Sequence, residues 1–330
     1  MIGGIKRASG RLGTVAAAGV LALTLAACGG GGISNTTTTG GNSGGKPCGT
    51  VNIALNAWVG YEADAYVVGN VLEHKLNCTV NYVHLSEQPS WAGMANGTVD
   101  TILENWGHDD LVAKYITQQH VVVDAGQTGN KGVIGWFVPP WMAAKYPDIT
   151  SWTSLNKYAS MFKTSESGGQ GQILDGDPSY VTNDQALVTN LKLNYKVVVG
   201  GSEAALIQSF RTAEANKTPL LAYFYEPQWF FSQMKLVQVH LPTFSSDPKV
   251  CPTAASAIKC DYPPYNLNKL MSTKFANSGS PAVKVIKNFN WTNDDQNLVA
   301  GYISNNGMSP DAAAQKWIAA NSAKVNAWLQ

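Results

Sequence analysis

From Val51 onward the chain alternates short β-branched apolar runs with longer amphipathic stretches, the pattern expected of a parallel sheet wrapped by helices. Residues 51–55 predict a first strand, 62–76 its crossover helix, 79–85 a second strand, 90–96 a short helix and 100–105 a third strand. A helical stretch at 109–118 and an extended one at 121–124 follow. Residues 132–138, closed by Pro139-Pro140, are extended and cannot continue as helix, so they can carry the chain into a second lobe.

That second lobe is expected to hold an apolar stretch at 149–161, a Gly-rich turn at 168–171 and a helix at 183–191. A strand at 196–199, a helix at 202–215, a strand at 220–225 and a return strand at 236–240 complete it. Helical patterns at 281–289, 294–305 and 310–329 then finish the first lobe. The expected organisation is residues 48–133 with 241–330 as one lobe and 134–240 as the other, preceded by segments 1–27 and 28–47. About 280 residues are enough for two cores, and the lack of a self-similar period argues against a solenoid.

The N-terminus changes the picture of where the protein works. Lys6, Arg7 and Arg11 precede an acid-free apolar run that ends in Leu25-Ala26-Ala27-Cys28, the form of a secretory signal too short for a membrane span. The end of the run resembles the bacterial lipobox, which implies cleavage before Cys28 and lipid on its thiol. The mature chain would then sit at the outer face of the cytoplasmic membrane. Residues 29–47 are Gly, Ser, Thr and Asn with one charge, Lys46, and read as a flexible tether. The whole sequence has 23 Lys+Arg against 22 Asp+Glu; removing the three basic residues of 1–27 leaves 20 against 22, so no basic excess invites nucleic acid.

Setting Cys28 aside, Cys48, Cys78, Cys251 and Cys260 remain, an even number suited to an oxidising compartment. Cys48 and Cys78 each stand just before a predicted strand. If those strands are parallel neighbours, both cysteines lie at one end of the sheet, so Cys48–Cys78 with Cys251–Cys260 is the preferred of three pairings. The spacings are not those of zinc ligands, and neither a metal nor a cofactor is expected.

Ten tryptophans and thirteen tyrosines are present, and several fall where a strand gives way to a loop, the place where open α/β sheets put ligands. They are Trp58 and Tyr61 after the first strand, Trp106 after the third, Tyr180 after Asp177-Pro178-Ser179, and Tyr223, Tyr225 and Trp229 around Glu226-Pro227. Three motifs recur in order: Gly97-Thr98-Val99-Asp100 running into Glu104-Asn105-Trp106, then Asp175-Gly176-Asp177-Pro178-Ser179-Tyr180, then Tyr223-Phe224-Tyr225-Glu226-Pro227-Gln228-Trp229. On these the chain resembles the glycine betaine and proline betaine substrate-binding proteins of the OpuAC and ProX type, from Val51 to Leu329.

The resemblance implies a two-lobed α/β fold of the periplasmic-binding-protein kind (type II), a hinge, an ABC permease as partner and a monomer that captures a quaternary-ammonium solute without catalysis. It implies a box of rings, carried over onto Trp106, Tyr180 and Tyr225, the last two standing where family members often have tryptophan. Trp58 and Tyr223 are further candidates, Tyr223 as a ring behind the first, since it faces the same side of its strand as Tyr225. His108 and the backbone N–H groups of Val181 and Thr182, at the start of an expected helix, are candidate partners of a ligand carboxylate. Glu104 shares a face with Trp106 and would favour a ligand lacking a carboxylate, so choline stays open beside the betaines, and carnitine stays open because it presents a similar cation; Glu226 reads as a turn residue and Trp229 as packing. No GxSxG, HExxH, P-loop or dinucleotide fingerprint supports the rival reading, a secreted enzyme.

Overall fold

A computed structural model describes residues 47–330. The predicted signal segment, the lipidation site at Cys28 and all but the last residue of the tether lie outside the described residues. Nine strands run as β1 (Thr50–Leu55), β2 (Thr79–His84), β3 (Thr101–Asn105), β4 (Val122–Val138), β5 (Gly171–Asp175), β6 (Tyr195–Val199), β7 (Ala222–Glu226), β8 (Val237–Val239) and β9 (Tyr265–Ser272). They are ordered β2-β1-β3-β9-β4-β7-β5-β6, with β8 also on β4. Among the described residues no helix is long and apolar enough to cross a membrane.

The sheet is mixed, which corrects the expectation of a parallel one. β1 pairs in parallel with β2 and β3, and β5 with β6 and β7, but β9 is antiparallel to both β3 and β4. β9 and β5 were not expected at all. β9 reads Tyr-Asn-Leu-Asn-Lys-Leu-Met-Ser, with a lysine at the centre of a strand where charge is depleted. Only the fold accommodates it: Lys269 is fully buried, and its ammonium donates to the carbonyls of Lys287 (3.0 Å) and Phe289.

The two stretches expected separately at 121–124 and 132–138 are one strand, β4, which serves both halves of the molecule. Its first part pairs with β9, from Val122 opposite Ser272 to Gly132 opposite Tyr265. From Val133 onward it pairs with β7, and near its end with β8. Glycines at 126 and 129, with φ of +94° and +96°, take up the two register shifts within the β4–β9 pairing. At Gly129 a β-carbon would stand 2.3 Å from the Trp291 carbonyl, so no larger residue fits the bulge.

Helices cover the halves much as the periodicity predicts, with shifted ends. The crossover helix expected from Glu62 spans Val59–Leu76 and is buried along most of its length, because the helices Asn293–Ser304 and Pro310–Ala320 pack on it as well as the sheet. Residues 109–118 wind first as Asp109–Leu111 and then as a wider π turn, Val112–Gln118. Residues 242–262 lean on the β5–β7 side: Asn190 donates to the carbonyls of Ser256 (3.0 Å) and Ile258 (2.7 Å), and the Tyr262 hydroxyl to Asp184 (2.7 Å). For this reason we propose that the return to the first lobe comes at Pro263-Pro264 rather than at 241.

The cysteines pair as Cys48–Cys78, which ties the start of β1 to the start of β2, and Cys251–Cys260, which closes the loop leading into β9. The first bridge spans 30 positions of chain. Replacing Cys48 and Cys78 together by alanine is expected to cost about 2–4 kcal/mol, the usual worth of such a cross-link. Urea unfolding reads it, and an unmoved midpoint with unchanged slope would refute it.

Candidate functional site

A cavity of about 850 Å³ opens between the strand ends of the two halves. Its walls are rings: Trp58 from the turn after β1, Trp106 after β3, Tyr180 after β5, Tyr223 and Tyr225 from β7, and Tyr265 at the head of β9. Neighbouring rings lie at similar spacings. Trp58 and Tyr180 are 5.8 Å apart at 83°, Tyr180 and Tyr225 6.0 Å at 87°, and Trp106 and Tyr225 5.9 Å at 79°. Tyr223 lies 6.1 Å from Tyr180 and from Tyr225, and Tyr265 lies 5.6 Å from Trp106. Of the predicted rings, Trp58, Trp106, Tyr180, Tyr223 and Tyr225 are thus brought together.

Each wall has a specific support. Trp58 is the residue before the Val59–Leu76 helix, extended at φ −141° and ψ 148°, which turns its side chain toward β3. There its indole N–H donates to Glu104 Oε1 at 2.8 Å, and the Trp106 N–H donates to the same oxygen at 2.7 Å. Gln296 donates to the other oxygen at 2.6 Å and accepts from Asn130 at 2.8 Å. On the opposite side Glu203, at the start of the Glu203–Asn216 helix, accepts from the Tyr225 hydroxyl, from Gln228 and from the Val59 backbone N–H at 3.1 Å.

Two glycines make room for the rings. A β-carbon at Gly132 would stand 2.6 Å from the Trp106 ring, and one at Gly176 2.5 Å from that of Tyr180. Tyr180 also reaches across the cleft, its hydroxyl donating to the Ala57 carbonyl at 3.3 Å. Burial pushes the phenols of Tyr180, Tyr223 and Tyr225 well above the ordinary range, so they remain neutral rings.

Other predicted residues are placed differently. Glu104 does not line the cavity: it is 2% exposed and stands behind the two tryptophans. Val181 lines the cavity, whereas Thr182 turns its hydroxyl to Asp175 Oδ2 at 2.8 Å. The helix expected to start beside them begins later, at Asp184, since the 177–180 turn and the Thr182–Asp175 bond hold the backbone out of helix. Trp229 is buried in a short turn outside the cavity and Glu226 ends β7, in keeping with packing and turn roles. His108 lines the cavity, its Nε2 3.3 Å from Glu87 Oε1.

The charge of the lining is one-sided. Among the described residues, Glu87, Asp109, Asp110 and Asp261 line the cavity, His108 is the one basic group, and no Lys or Arg takes part. Behind Tyr223 and Tyr262 lies a further acid pair, in which burial, then the neighbouring Asp175, pushes the Asp184 carboxyl up to about 8. The segment from Phe244 to Cys260, its end closed by the Cys251–Cys260 bridge, supplies a last wall through Phe244 and Ile258 among others. Sequence reasoning missed Glu203, Tyr265 and this loop. Pro263-Pro264 before the alternating Tyr265–Ser272 was the available sign of a strand head there.

Comparison with known proteins agrees with this geometry. The family described as the substrate-binding domain of ABC-type glycine betaine transport systems matches residues 49–320. A trimethylamine N-oxide-binding protein of Pelagibacter ubique is 23% identical, over 82% of this chain and 87% of the relative. The fold is similar to that of lactococcal OpuAC, solved closed with glycine betaine: TM-score 0.66, 21% identity, 85% of this chain and 99% of that one. It is also similar to an ABC-transporter choline-binding protein in complex with choline: TM-score 0.68, 18% identity, 86% and 92%.

The His108–Glu87 contact has a pH signature. Burial works against the imidazolium, but contact with Glu87, its charge, and then those of Asp110 and Asp109 outweigh it and raise the His108 pKa. A raised histidine stabilises the fold fully below its unfolded pKa of about 6.5 and loses that contribution as pH rises through the folded pKa. His108→Gln is therefore expected to cost more stability at about pH 5.5 than at about pH 8.5. Equal urea midpoint shifts at the two pH values would contradict the pairing.

Proposed function

The chain belongs to the family of substrate-binding domains of ABC-type glycine betaine transport systems, and on that footing we propose that it captures a small solute with a trimethylammonium head, such as glycine betaine, and hands it to a membrane permease. One observation carries the reading: aromatic faces from both halves of the molecule meet around a single cavity whose lining has no Lys or Arg. A methylated ammonium has no N–H to donate and is held by ring faces, which reach a cation within about 6 Å of each centroid. Walls near right angles at 5.8–6.0 Å suit that geometry, since a centre about 4.2 Å above each of two perpendicular faces gives that spacing.

The magnitudes are sufficient. At about 1–2 kcal/mol per desolvated ring, four rings contribute about 4–8 kcal/mol. Micromolar affinity needs about 8 kcal/mol, so a few further hydrogen bonds at the other end of the ligand complete it. For a carboxylate those would come from His108 and from the backbone around Val181, both on the cavity wall.

Trp58 and Trp106 stand on the β1–β3 side and Tyr180, Tyr223 and Tyr225 on the β5–β7 side, so in this reading the cage is complete only with the halves together. A ligand that touches both sides favours the closed form over the open one. The Tyr180–Ala57 and Glu203–Val59 hydrogen bonds across the cleft belong to that closed state. The protein would work outside the cytoplasmic membrane, tethered through lipid on Cys28, as a monomer beside its permease.

A second reading, choline as ligand, is favoured by the acids at the cavity wall, which suit a solute of net positive charge; carnitine, zwitterionic like the betaines, goes with the first reading. Calorimetry with glycine betaine, choline, carnitine and trimethylamine N-oxide separates the readings, and no heat with any of them would sink both. With the best ligand of that set, Trp106→Ala is expected to weaken binding at least about tenfold while leaving the fold intact, the loss of one well-desolvated ring. Undiminished affinity would remove Trp106 from the cage.

A further inference from the structure

Glu104 lies outside the cavity, yet one of its carboxylate oxygens holds two residues of the cavity wall. One oxygen accepts the indole N–H of both Trp58 and Trp106, and the other accepts from Gln296, whose amide is braced by Asn130. Three donors and no hydrogen to give is the pattern of an ionised acceptor. Burial first, and next the Glu104 charge, raise the pKa of its fully buried neighbour Asp64 well above the usual carboxylate range. Among the described residues the nearby buried cation is Lys269, which is spent on two backbone carbonyls and whose pKa burial pushes down to about 8. Glu203 is placed likewise behind Tyr225, accepting the phenol hydrogen; burial raises its pKa, and the donors on Tyr225, Val59 and Gln228 oppose that rise.

We propose that Glu104 and Glu203 are positioning residues that act through the rings they hold and give the cavity its preference for positive charge over shape alone. The idea rests on the cage reading above and deepens it. A carboxylate bound to an indole N–H or a phenol O–H pushes electron density onto the ring, strengthening the negative face that meets a cation. The charge is also felt directly through a water-poor wall, where screening is weak. Fixing two indoles on one oxygen adds a geometric effect, because neither tryptophan can turn without breaking a bond to a buried charge.

The two effects separate experimentally because a neutral isostere needs the shape and not the charge. The probes are choline and the neutral alcohol in which carbon replaces its nitrogen, titrated calorimetrically into the full mature chain. The unmodified protein is expected to prefer choline strongly. In Glu104→Gln, whose amide oxygen still accepts from the indoles, that preference should fall about tenfold while affinity for the alcohol changes little. Glu203→Gln tests the same claim on the opposite wall, and stands in should Glu104→Gln fail to fold.

Parallel loss of both ligands, or loss of neither, would overturn the proposal by making the two acids structural only. If the unmodified protein bound choline no better than the alcohol, the proposal would fall while the cage stood. If it bound neither of these, nor glycine betaine, carnitine or trimethylamine N-oxide, the cage reading itself would fall.

Discussion

A carboxylate at 2% exposure is tolerated only where donors converge on it, and at Glu104 three do so from three different parts of the chain. Trp58 comes from the turn after β1, Trp106 from the end of β3 and Gln296 from the Asn293–Ser304 helix, almost 200 positions later. One buried carboxylate therefore ties the Asn293–Ser304 helix to the two tryptophans and sets how their indoles face. Gly60 belongs to the same constraint, since a β-carbon there would meet the Gln296 amide at 2.5 Å. The ring walls are not free aromatics at a surface; they are the visible ends of a buried polar network.

The opposite wall of the cavity is built on the same plan with different parts. Glu203 gathers Tyr225 and Gln228, and in addition reaches the Val59 N–H at the start of the first half's leading helix. That contact makes the second acid a link across the cleft as well as a brace. β4 is the covalent counterpart, a single strand whose two ends belong to different sheet halves, with the changeover at Gly132 where the Trp106 ring rests. β9 is the other strand at this junction, antiparallel to both β3 and β4, and the register of its pairing with β4 is interrupted at the glycine bulges.

Local signals made much of this readable along the chain. The apolar run of 51–55, buried on both faces, and the periods of 79–84 and 203–216 put strands and helices close to where they form. Cys48 and Cys78, each preceding a strand, pair because β1 and β2 are parallel neighbours in register from Thr50 and Thr79. Aromatics at strand ends pointed to the cavity, since a ring with no periodic partner in its own element has to face something else.

What the sequence by itself determined was therefore the inventory of elements with self-consistent faces and the residue types that would line a cleft. The tertiary structure alone decided the mixed sheet, the strand carrying Lys269, the role of Glu104 behind the tryptophans and the wall given by the loop from Phe244 to Cys260. Each of these depends on partners far away in the chain: Lys269 on the carbonyls of Lys287 and Phe289, Glu104 on Gln296, the loop on Asn190 and Asp184. Periodicity reports only the face a segment presents. Whether a charge on that face is buried and satisfied is set by long-range contacts that no local window contains.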